Sequence, residues 1–311
     1  MSTKKNILVI LGPTASGKTQ LACAVAAQLN GEIISADSRQ IYRGMDIGTG
    51  KDLSEYTINK KNIPYHLIDI KNPGYHYNVA EFQLDFLNVF DEINSRNNLP
   101  ILCGGTGLYI ETAIGGNSFL GIEPDTNLYE KMKTVSLSEI DKEVAELPHD
   151  IRSKLTVQTW QRKIRAIEIG RFLKLNPTWK PIEIPELNST IIGIDISREA
   201  RREKITKRLE YRLNNGLYEE VENLVKQGIA LEDLEYYGLE YAWLGKFMRG
   251  TITREELFEG LNIAIHQFAK RQMTWFRRME AKGYDIKWID VNLEMEEKVD
   301  LVKKYCKSIL V

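Results

Sequence analysis

The composition of the chain is that of an ordinary globular protein. It has 311 residues, of which 43% are hydrophobic and 27% are charged, and its formal net charge is −1. This length allows one large domain or a core with an inserted subdomain. Because there is no global excess of positive charge, binding to a nucleic acid would require a local basic face.

The cysteines and the apolar runs bear on the cellular compartment. Cys23, Cys103 and Cys306 lie far apart and form no Cys-x-x-Cys pair, which argues against a zinc site and fits a reducing cytosol. The short apolar run near the start leads into glycines and a lysine, as a strand would, and not into a signal-peptide cleavage site. Since no run approaches about 20 apolar residues, we predict a cytoplasmic protein without a membrane span.

The first third of the chain alternates short apolar runs with helical segments. The runs predict strands over 6–11, 31–36, 63–70 and 99–103, with helices over 19–29 and 79–96 between them. This alternation predicts an α/β fold, in which a parallel sheet is flanked by helices.

The pattern changes after residue 116. Helical stretches dominate up to a proline-containing segment around Pro181, and an apolar run over 190–196 then predicts a return to the sheet. We therefore predict a P-loop core over 1–112 and 190–311 and a helical insertion over 113–189. After the insertion we predict helices over 198–282, a short strand over 288–291 and a last helix over 294–309.

The segment between the first strand and the first helix reads GPTASGKT and matches G-x-x-x-x-G-K-[ST]. Its glycines let backbone N–H groups face a phosphate, and the start of the helix adds its positive dipole end. Lys18 supplies a mobile positive charge, and the Thr19 hydroxyl can hold Mg²⁺. The predicted phosphate-binding residues are Gly12, Pro13, Thr14, Ala15, Ser16, Gly17, Lys18 and Thr19.

A kinase or NTPase would also need an acidic residue at the end of a later apolar strand, to bind Mg²⁺ or to position water. The strand over 99–103 is followed by Gly-Gly-Thr, without a carboxylate. The strand over 63–70 does contain Asp69, so this test is not decisive. The balance favours binding of a diphosphate without hydrolysis.

Two further polar turns follow predicted strands and should reach the same edge of the sheet. After the second strand, residues 37–49 read DSRQIYRGMDIGT, in which Asp37 can accept a proton and Ser38 and Gln40 suit the edge of a base. Asp37 could equally cap a following helix. After the fourth strand, Thr106 can either contact a bridging oxygen or act as a helix N-cap.

Basic residues are concentrated in two stretches. One contains Arg162, Lys163, Arg165, Arg171 and Lys174, and the other contains Lys270, Arg271, Arg277, Arg278 and Lys282 with Trp275 and Phe276 between them. Such stretches suit an RNA surface, but they also suit a solvated helix face paired with acids. His66 and His76 lack the spacing of metal ligands and are interpreted as structural.

Six segments together resemble the tRNA dimethylallyltransferase family. They are, in order, GPTASGKT, ADSRQIYRGMDIGT, HLID, GGTGLY, RAIE and AKRQMTWFR, and the resemblance covers about residues 6–282. It implies a P-loop-kinase-like core with a helical insertion. It also implies transfer of a dimethylallyl group from dimethylallyl diphosphate to N6 of the adenosine 3′-adjacent to the anticodon in tRNA. An adenylate prenyltransferase and a small-molecule kinase remain alternatives.

The resemblance also implies residue roles. Asp37 would be the general base, Thr106 would lie beside the leaving oxygen, and Lys18 would act in catalysis. The phosphate loop and Arg208 would grip the diphosphate, with Mg²⁺ at Thr19. The implied tRNA contacts, made by a monomer to the anticodon stem-loop, are Asp37, Ser38, Arg39 and Gln40, and Gln161, Arg162, Lys163, Ile164 and Arg165.

The chain departs from the family pattern in three places. Gln158 and Thr159 stand where Asn-Asp is usual, and Ile265 and His266 stand where Thr-Arg is common. The family's GYR motif appears as Gly-Leu-Glu over 238–240. These departures bear on recognition of the anticodon loop more than on the chemistry.

Overall fold

The computed structural model describes residues 4–116, 119–155, 157–181 and 184–309, so the ends of the predicted core and five positions of the predicted insertion lie outside the described residues. The chain divides into two units. The first joins Met1–Gly115 to Pro185–Val311, and the second is Gly116–Ile184.

A six-stranded sheet forms the centre of the first unit. In chain order the strands of this unit are β1 (Lys5–Leu11), β2 (Gly31–Ser35), β3 (Thr57–Ile58), β4 (Lys61–Asn62), β5 (Tyr65–His66), β6 (Leu99–Gly104), β7 (Leu187–Asp195) and β8 (Ile286–Asp290). The sheet has the order β5-β2-β6-β1-β7-β8, and each neighbouring pair is parallel, while β3 and β4 form a separate antiparallel pair. The predicted parallel α/β sheet is confirmed.

The helices are described in chain order. They are α1 (Lys18–Leu29), α2 (Val79–Ser95), α3 (Gly107–Gly115), α4 (Thr126–Met132), α5 (Leu137–Glu146), α6 (His149–Lys154), α7 (Trp160–Leu175), α8 (Arg198–Leu213), α9 (Leu217–Lys226), α10 (Leu239–Met248), α11 (Arg254–Ala281) and α12 (Met295–Tyr305). Short 3₁₀ turns cover Leu53–Tyr56, Asp233–Tyr237 and Cys306–Ser308. No helix within the described ranges is long and apolar enough to cross a membrane.

Apolar side chains cover both faces of the sheet. Along β1, Val9 packs with α2 and α11 on one face, and Ile10 packs with α1 and α12 on the other. A strand buried on both faces must be apolar at every position, which explains the continuous run that predicted it. The helices therefore hold the sheet between two layers and leave its carboxyl edge open to loops.

The second unit has its own apolar clusters. In one of them, Ile164 and Ile167 of α7 pack against Leu128 of α4 and Ile140 of α5. This unit is helical, as the sequence pattern indicates. The predicted role of residues 113–189 in binding tRNA stays a prediction.

The predicted third strand was too long. Only Tyr65–His66 pairs with β2, whereas we expected a strand over 63–70. Leu67 and Asp69 have φ angles of 60° and 56°, in the left-handed region. A strand cannot continue through that conformation, so the chain turns here and carries Asp69 away from the sheet.

Glu32, in β2, provides a test of stability against pH. Its carboxylate is 4% exposed, accepts hydrogen bonds from Arg96 (2.8 Å) and Asn98 (2.7 Å), and lies 2.7 Å from His66 Nε2. Arg96 first, and then Asn98 and His66, hold the pKa of Glu32 at about 2 against the effect of burial. His66 is thus structural.

We expect Glu32→Gln to destabilise the fold at neutral pH. A carboxylate with a lowered pKa contributes stability that is fully present above its unfolded pKa, here 4.5, and lost as pH falls towards about 2. The contribution amounts to at most about 3 kcal/mol. Urea unfolding from pH 7 to pH 3 should show that the difference in free energy of unfolding between wild type and variant becomes smaller as the pH falls. A difference that stays constant with pH would contradict this account.

Candidate active site

Loops from three adjacent strands meet at the carboxyl edge of the sheet. The phosphate loop follows β1, the segment that begins at Asp37 follows β2, and Gly105 and Thr106 follow β6. A cleft of about 420 Å³ lies there. The predicted residues that line it are Thr14, Ala15, Ser16, Gly17, Lys18, Thr19, Asp37, Ser38, Arg39, Gln40 and Arg208. The sequence therefore predicted correctly which segments would meet.

The phosphate loop directs the first turn of α1 towards the cleft. Ala15 and Gly17 have φ angles of 62° and 81°, which turn the backbone tightly before the helix begins at Lys18. The Ser16 hydroxyl is buried and has no hydrogen-bond partner among the described residues. Gly12 and Pro13 do not line the cleft. A Cβ on Gly12 would lie 2.6 Å from Ser16 Oγ, so Gly12 serves the packing of the loop.

Two cations face the predicted phosphate position. Burial lowers the pKa of Lys18, and the charge of Asp37 acts in the opposite direction. Arg208 donates to the Thr14 hydroxyl, and burial lowers the pKa of its guanidinium to about 10. A diphosphate would supply the negative charge that these partly desolvated cations lack.

Asp37 lines the cleft and also shapes its own turn. Its Oδ1 accepts the N–H of Arg39 at 3.0 Å, and the residues after it form turns instead of the helix considered above. Asp37 therefore caps a turn, and the alternative that it caps a helix is wrong. One carboxylate oxygen fixes the loop, while the side chain remains at the cleft wall.

Thr106 joins two of the loops. Its N–H donates to Ala36 O at 3.2 Å, and its hydroxyl accepts the N–H of Ser38 at 3.1 Å. A Cβ on Gly104 would lie 2.2 Å from Ala36 O, so only glycine allows this close approach. Thr106 does not itself line the cleft, and its role beside the leaving oxygen stays a prediction.

Gln40 is less available than expected. It is 9% exposed, its Oε1 accepts from the Ser35 hydroxyl at 2.9 Å, and its Nε2 donates to Gly50 O at 3.1 Å. Each end of the amide therefore already has one partner within the protein, and a contact of Gln40 with a base edge stays a prediction. Arg39 also lies at the cleft, with its guanidinium 5.3 Å from the Tyr236 ring.

The predicted tRNA-contact stretch of the second unit is partly engaged within that unit. Ile164 is fully buried, which corrects the expectation of a side-chain contact there. Arg165 is 3.0 Å from Glu168 and donates to Glu123 O at 3.2 Å, and Lys163 pairs with Asp141. Gln161 and Arg162 are exposed.

Gln272 is a positioning residue to which the sequence reasoning gave no role. It lies on α11, is 6% exposed, and its Oε1 accepts the N–H of Thr14 at 2.8 Å. Its Nε2 donates to Gly105 O at 3.0 Å. One amide thus ties the phosphate loop to the turn after β6. The motif AKRQMTWFR contains this residue, but the motif does not show which loops it joins.

We expect Gln272→Leu to weaken diphosphate binding by about tenfold. Leucine has a similar volume but leaves the Thr14 N–H and the Gly105 carbonyl without partners, at roughly 1–3 kcal/mol. Calorimetric titration with dimethylallyl diphosphate, the ligand that the family resemblance implies, measures the effect. Gln28→Leu is the matched control, because Gln28 is exposed on α1 and does not line the cleft. Equal affinity in the two variants would mean that the clamp does not shape the phosphate loop.

Asp69 forms an ion pair with a buried lysine. The side chain of Lys51 is fully buried, and its Nζ donates to Tyr42 O at 2.7 Å and to carboxylates of Asp46 and Asp69. Asp69 is not among the residues that line the cleft. It therefore neutralises Lys51 and is not placed to bind a metal beside the phosphate loop. Glu220 secures the same segment, since its carboxylate accepts the N–H groups of Asp46, Ile47 and Gly48 at 2.7–3.0 Å.

Two acidic residues of the cleft also had no assigned role. Burial raises the pKa of Glu55 and of Glu240, which line the cleft near Arg208. Glu240 is one of the departures from the GYR motif, so the sequence already marked this position as unusual. Glu55 lies in a 3₁₀ turn and carries no such signal. Ile265, another departure, contributes an apolar side chain to the cleft wall.

The end of the second basic stretch is also paired within the protein. Glu111 of α3 accepts from Trp275 Nε1 at 2.8 Å, lies 3.4 Å from Arg278 and pairs with Lys282. The Arg278 guanidinium also lies 4.2 Å from the Trp275 ring centre. These cations hold α11 against α3. Lys270, Arg271 and Arg277 take no part in this arrangement.

Comparisons with known proteins found two matching family models and several similar relatives. The family model described as IPP transferase matches residues 40–279, and the model described as isopentenyl transferase matches residues 5–63. The chain is 53% identical to tRNA dimethylallyltransferase 2 of Bacteroides fragilis over 97% of this chain and 98% of that protein. It is also 53% identical to tRNA dimethylallyltransferase 1 of Parabacteroides distasonis, over 94% and 95%.

A solved structure shows the same architecture. The tRNA isopentenylpyrophosphate transferase of Bacillus halodurans is 30% identical, with a TM-score of 0.71 over 99% of this chain and 97% of that chain. A eukaryotic dimethylallyltransferase solved acting on tRNA shares the fold at 23% identity, with a TM-score of 0.75 over 93% of this chain and 74% of that chain.

Proposed function

The chain belongs to the IPP transferase family, and we propose that it transfers a dimethylallyl group from dimethylallyl diphosphate to N6 of the adenosine 3′-adjacent to the anticodon in tRNA. The observation that carries this proposal is the cleft in which the phosphate loop, Arg208 and Asp37 meet. Relatives of nearly equal length are named for this activity.

The diphosphate would lie over the phosphate loop. The Ser16 hydroxyl, which no described residue engages, can donate to one of its oxygens. Lys18 and Arg208 can neutralise its charge. These groups interact with more negative charge as the allylic C–O bond breaks and the electron pair leaves with the diphosphate. They therefore stabilise the transition state more than the bound substrate.

Asp37 would act on the adenine. An exocyclic amine is a weak nucleophile because its lone pair is delocalised into the ring, so the new bond from N6 to the allylic carbon forms as the carbon gains positive character. Asp37 holds the amine and accepts its proton, while its contact with the Arg39 N–H keeps the carboxylate in place. The adenine must leave its stack to reach the cleft, as in other enzymes that act on bases.

The donor set also fits Mg²⁺. Thr19 lines the cleft with an oxygen, and the described residues hold no group of three or more His, Cys, Asp or Glu that would form a dedicated metal site. Mg²⁺ usually takes few protein ligands and several phosphate oxygens. Thr19 would hold the ion, which would supply charge neutralisation to the leaving diphosphate.

The tRNA would enter past Arg39, which lines the cleft and lies against the Tyr236 ring. On the second unit, Gln161 and Arg162 offer exposed polar groups. We also propose that the protein acts as a cytoplasmic monomer. In support of that compartment, Cys23, Cys103 and Cys306 are free and buried.

The kinase alternative is disfavoured by Asp69, which pairs with Lys51 and does not line the cleft. The acceptor is tested directly by incubating the protein with labelled dimethylallyl diphosphate and unmodified tRNA, AMP, or a panel of kinase substrates with ATP. We expect label in tRNA alone, at one adenosine. Label in AMP would identify an adenylate prenyltransferase, and phosphate transfer from ATP would overturn the proposal.

A further inference from the structure

A second cavity lies at the carboxyl end of β7, between α8 and α11. Its volume is about 480 Å³. Five cationic side chains line it, namely Arg198, Arg201, Arg202, Lys270 and Arg277. One carboxylate, that of Asp195, also lies in its wall. It is separate from the cleft described above, since the two share no lining residue.

These cations differ from Arg278 and Lys282, at the end of α11, in having no carboxylate partner among the described residues. Within the described ranges, none of the five forms an ion pair, whereas Arg278 and Lys282 pair with Glu111. Burial, and then the neighbouring charges of Arg198 and Arg277, lower the pKa of Arg201, so these arginines are close enough to repel one another. A concave site with this much uncompensated positive charge favours a multivalent anion.

His266 adds a buried polar atom to the same wall. Its Nδ1 is buried and has no hydrogen-bond partner among the residues that the structure describes, and its Nε2 lies 3.5 Å from the Thr206 hydroxyl. Burial, and then Arg202 and Arg201, lower the pKa of His266. An unpaired buried nitrogen is costly, and an anion oxygen would satisfy it when the nitrogen carries a proton.

We propose that this cavity binds a backbone phosphate of the tRNA whose adenosine occupies the cleft. The guanidinium groups match the tetrahedral oxygens of a phosphate, and α11 connects the two sites. Phe268 and Gln272 of that helix line the cleft, and Lys270 and Thr274 line the cavity. These two pairs lie on different faces of α11, because residues two apart on a helix do not face the same side. An RNA strand that leaves the cleft therefore meets the cavity by crossing the exposed face of α11, past Arg271 and Gln267. This proposal rests on the proposed function for its choice of tRNA, because free phosphate has the same chemistry.

The first test uses inorganic phosphate and needs no RNA. The chain has four histidines, so the ring signals of His266 can be assigned in a histidine-labelled sample. We expect these signals to shift saturably at millimolar phosphate in the wild type and in Lys18→Met, which weakens the phosphate loop. They should not shift in the folded double variant Arg198→Gln, Arg201→Gln. The variant Arg198→Gln, Arg201→Lys, which keeps one of the two charges, should regain part of the response. An unresponsive His266 in the wild type would overturn the site.

The second test identifies the source of the phosphate. We expect the same double variant to weaken tRNA binding and to make the plot of log affinity against log salt less steep. The magnitude of the negative slope should fall by about 0.9 for each phosphate that the variant no longer neutralises. The matched control is Lys303→Gln, Lys304→Gln on α12, which removes the same charge. Turnover at saturating tRNA should be unchanged, because the cavity is separate from the cleft.

The two tests fail in different ways. If the double variant and the control give parallel salt lines while His266 still responds to phosphate, the cavity binds free phosphate and the RNA assignment is wrong. If the wild type neither binds nor prenylates tRNA, the proposed function fails together with the RNA assignment, and the His266 response still decides whether the cavity binds an anion.

Discussion

Replacing Asp37 with Asn is expected to lower kcat by about 10²- to 10⁴-fold while the protein still folds and binds both substrates. Asparagine keeps the oxygen that accepts the Arg39 N–H at 3.0 Å, so the turn after β2 should be preserved. What it loses is the ability to take the N6 proton. Asn is therefore a sharper substitution than Ala, which would also remove the turn contact.

Single-turnover transfer to tRNA measures this effect without the contribution of product release. Asp300→Asn provides the control, because it makes the same chemical change on the exposed surface of α12, and it should behave like the wild type. A folded Asp37→Asn protein with nearly normal transfer would show that another group takes the proton.

The second large effect is expected from Lys18→Met, which should weaken binding of dimethylallyl diphosphate by about 100-fold. Methionine keeps much of the length of the side chain but removes the charge that faces the phosphate position. A hydrogen bond between charged groups contributes roughly 1.5–3 kcal/mol, and about 2.7 kcal/mol corresponds to 100-fold. Affinity for tRNA should change little.

Calorimetric titration with dimethylallyl diphosphate gives the affinity directly, and Lys304→Met on α12 controls for the loss of one lysine. If Lys18→Met bound the diphosphate as tightly as this control, the phosphate loop would not be the diphosphate site. A parallel loss of tRNA affinity would instead indicate that the substitution disturbs the whole cleft.

The sequence predicted the parts of the site that depend on the ends of strands. Short continuous apolar runs that alternate with helical segments favour buried parallel strands. The residues after such strands meet at one edge of the sheet, so Lys18, Asp37 and Thr106 were expected close together. The length of the third strand was not predictable in this way, because Leu67 and Asp69 adopt a backbone conformation that apolar periodicity does not signal.

The residues without a predicted role have a common physical cause. Gln272, Lys51 and Glu220 are defined by partners far away in sequence or by burial, and no local pattern contains that information. The same applies to Ile164 and Arg165, whose side chains are engaged because α7 packs within its own unit. A basic residue in a sequence becomes a candidate for binding only when the structure shows that no carboxylate already neutralises it.

The order of strands has a consequence for how the protein is made. β1 emerges from the ribosome before its two neighbours in the sheet, β6 and β7, and before Gln272 of α11, which clamps its phosphate loop. Contacts between such distant segments form slowly and late. The nascent chain therefore carries an incomplete cleft until most of its length has been synthesised, and the buried apolar strand β1 needs protection from aggregation during that time.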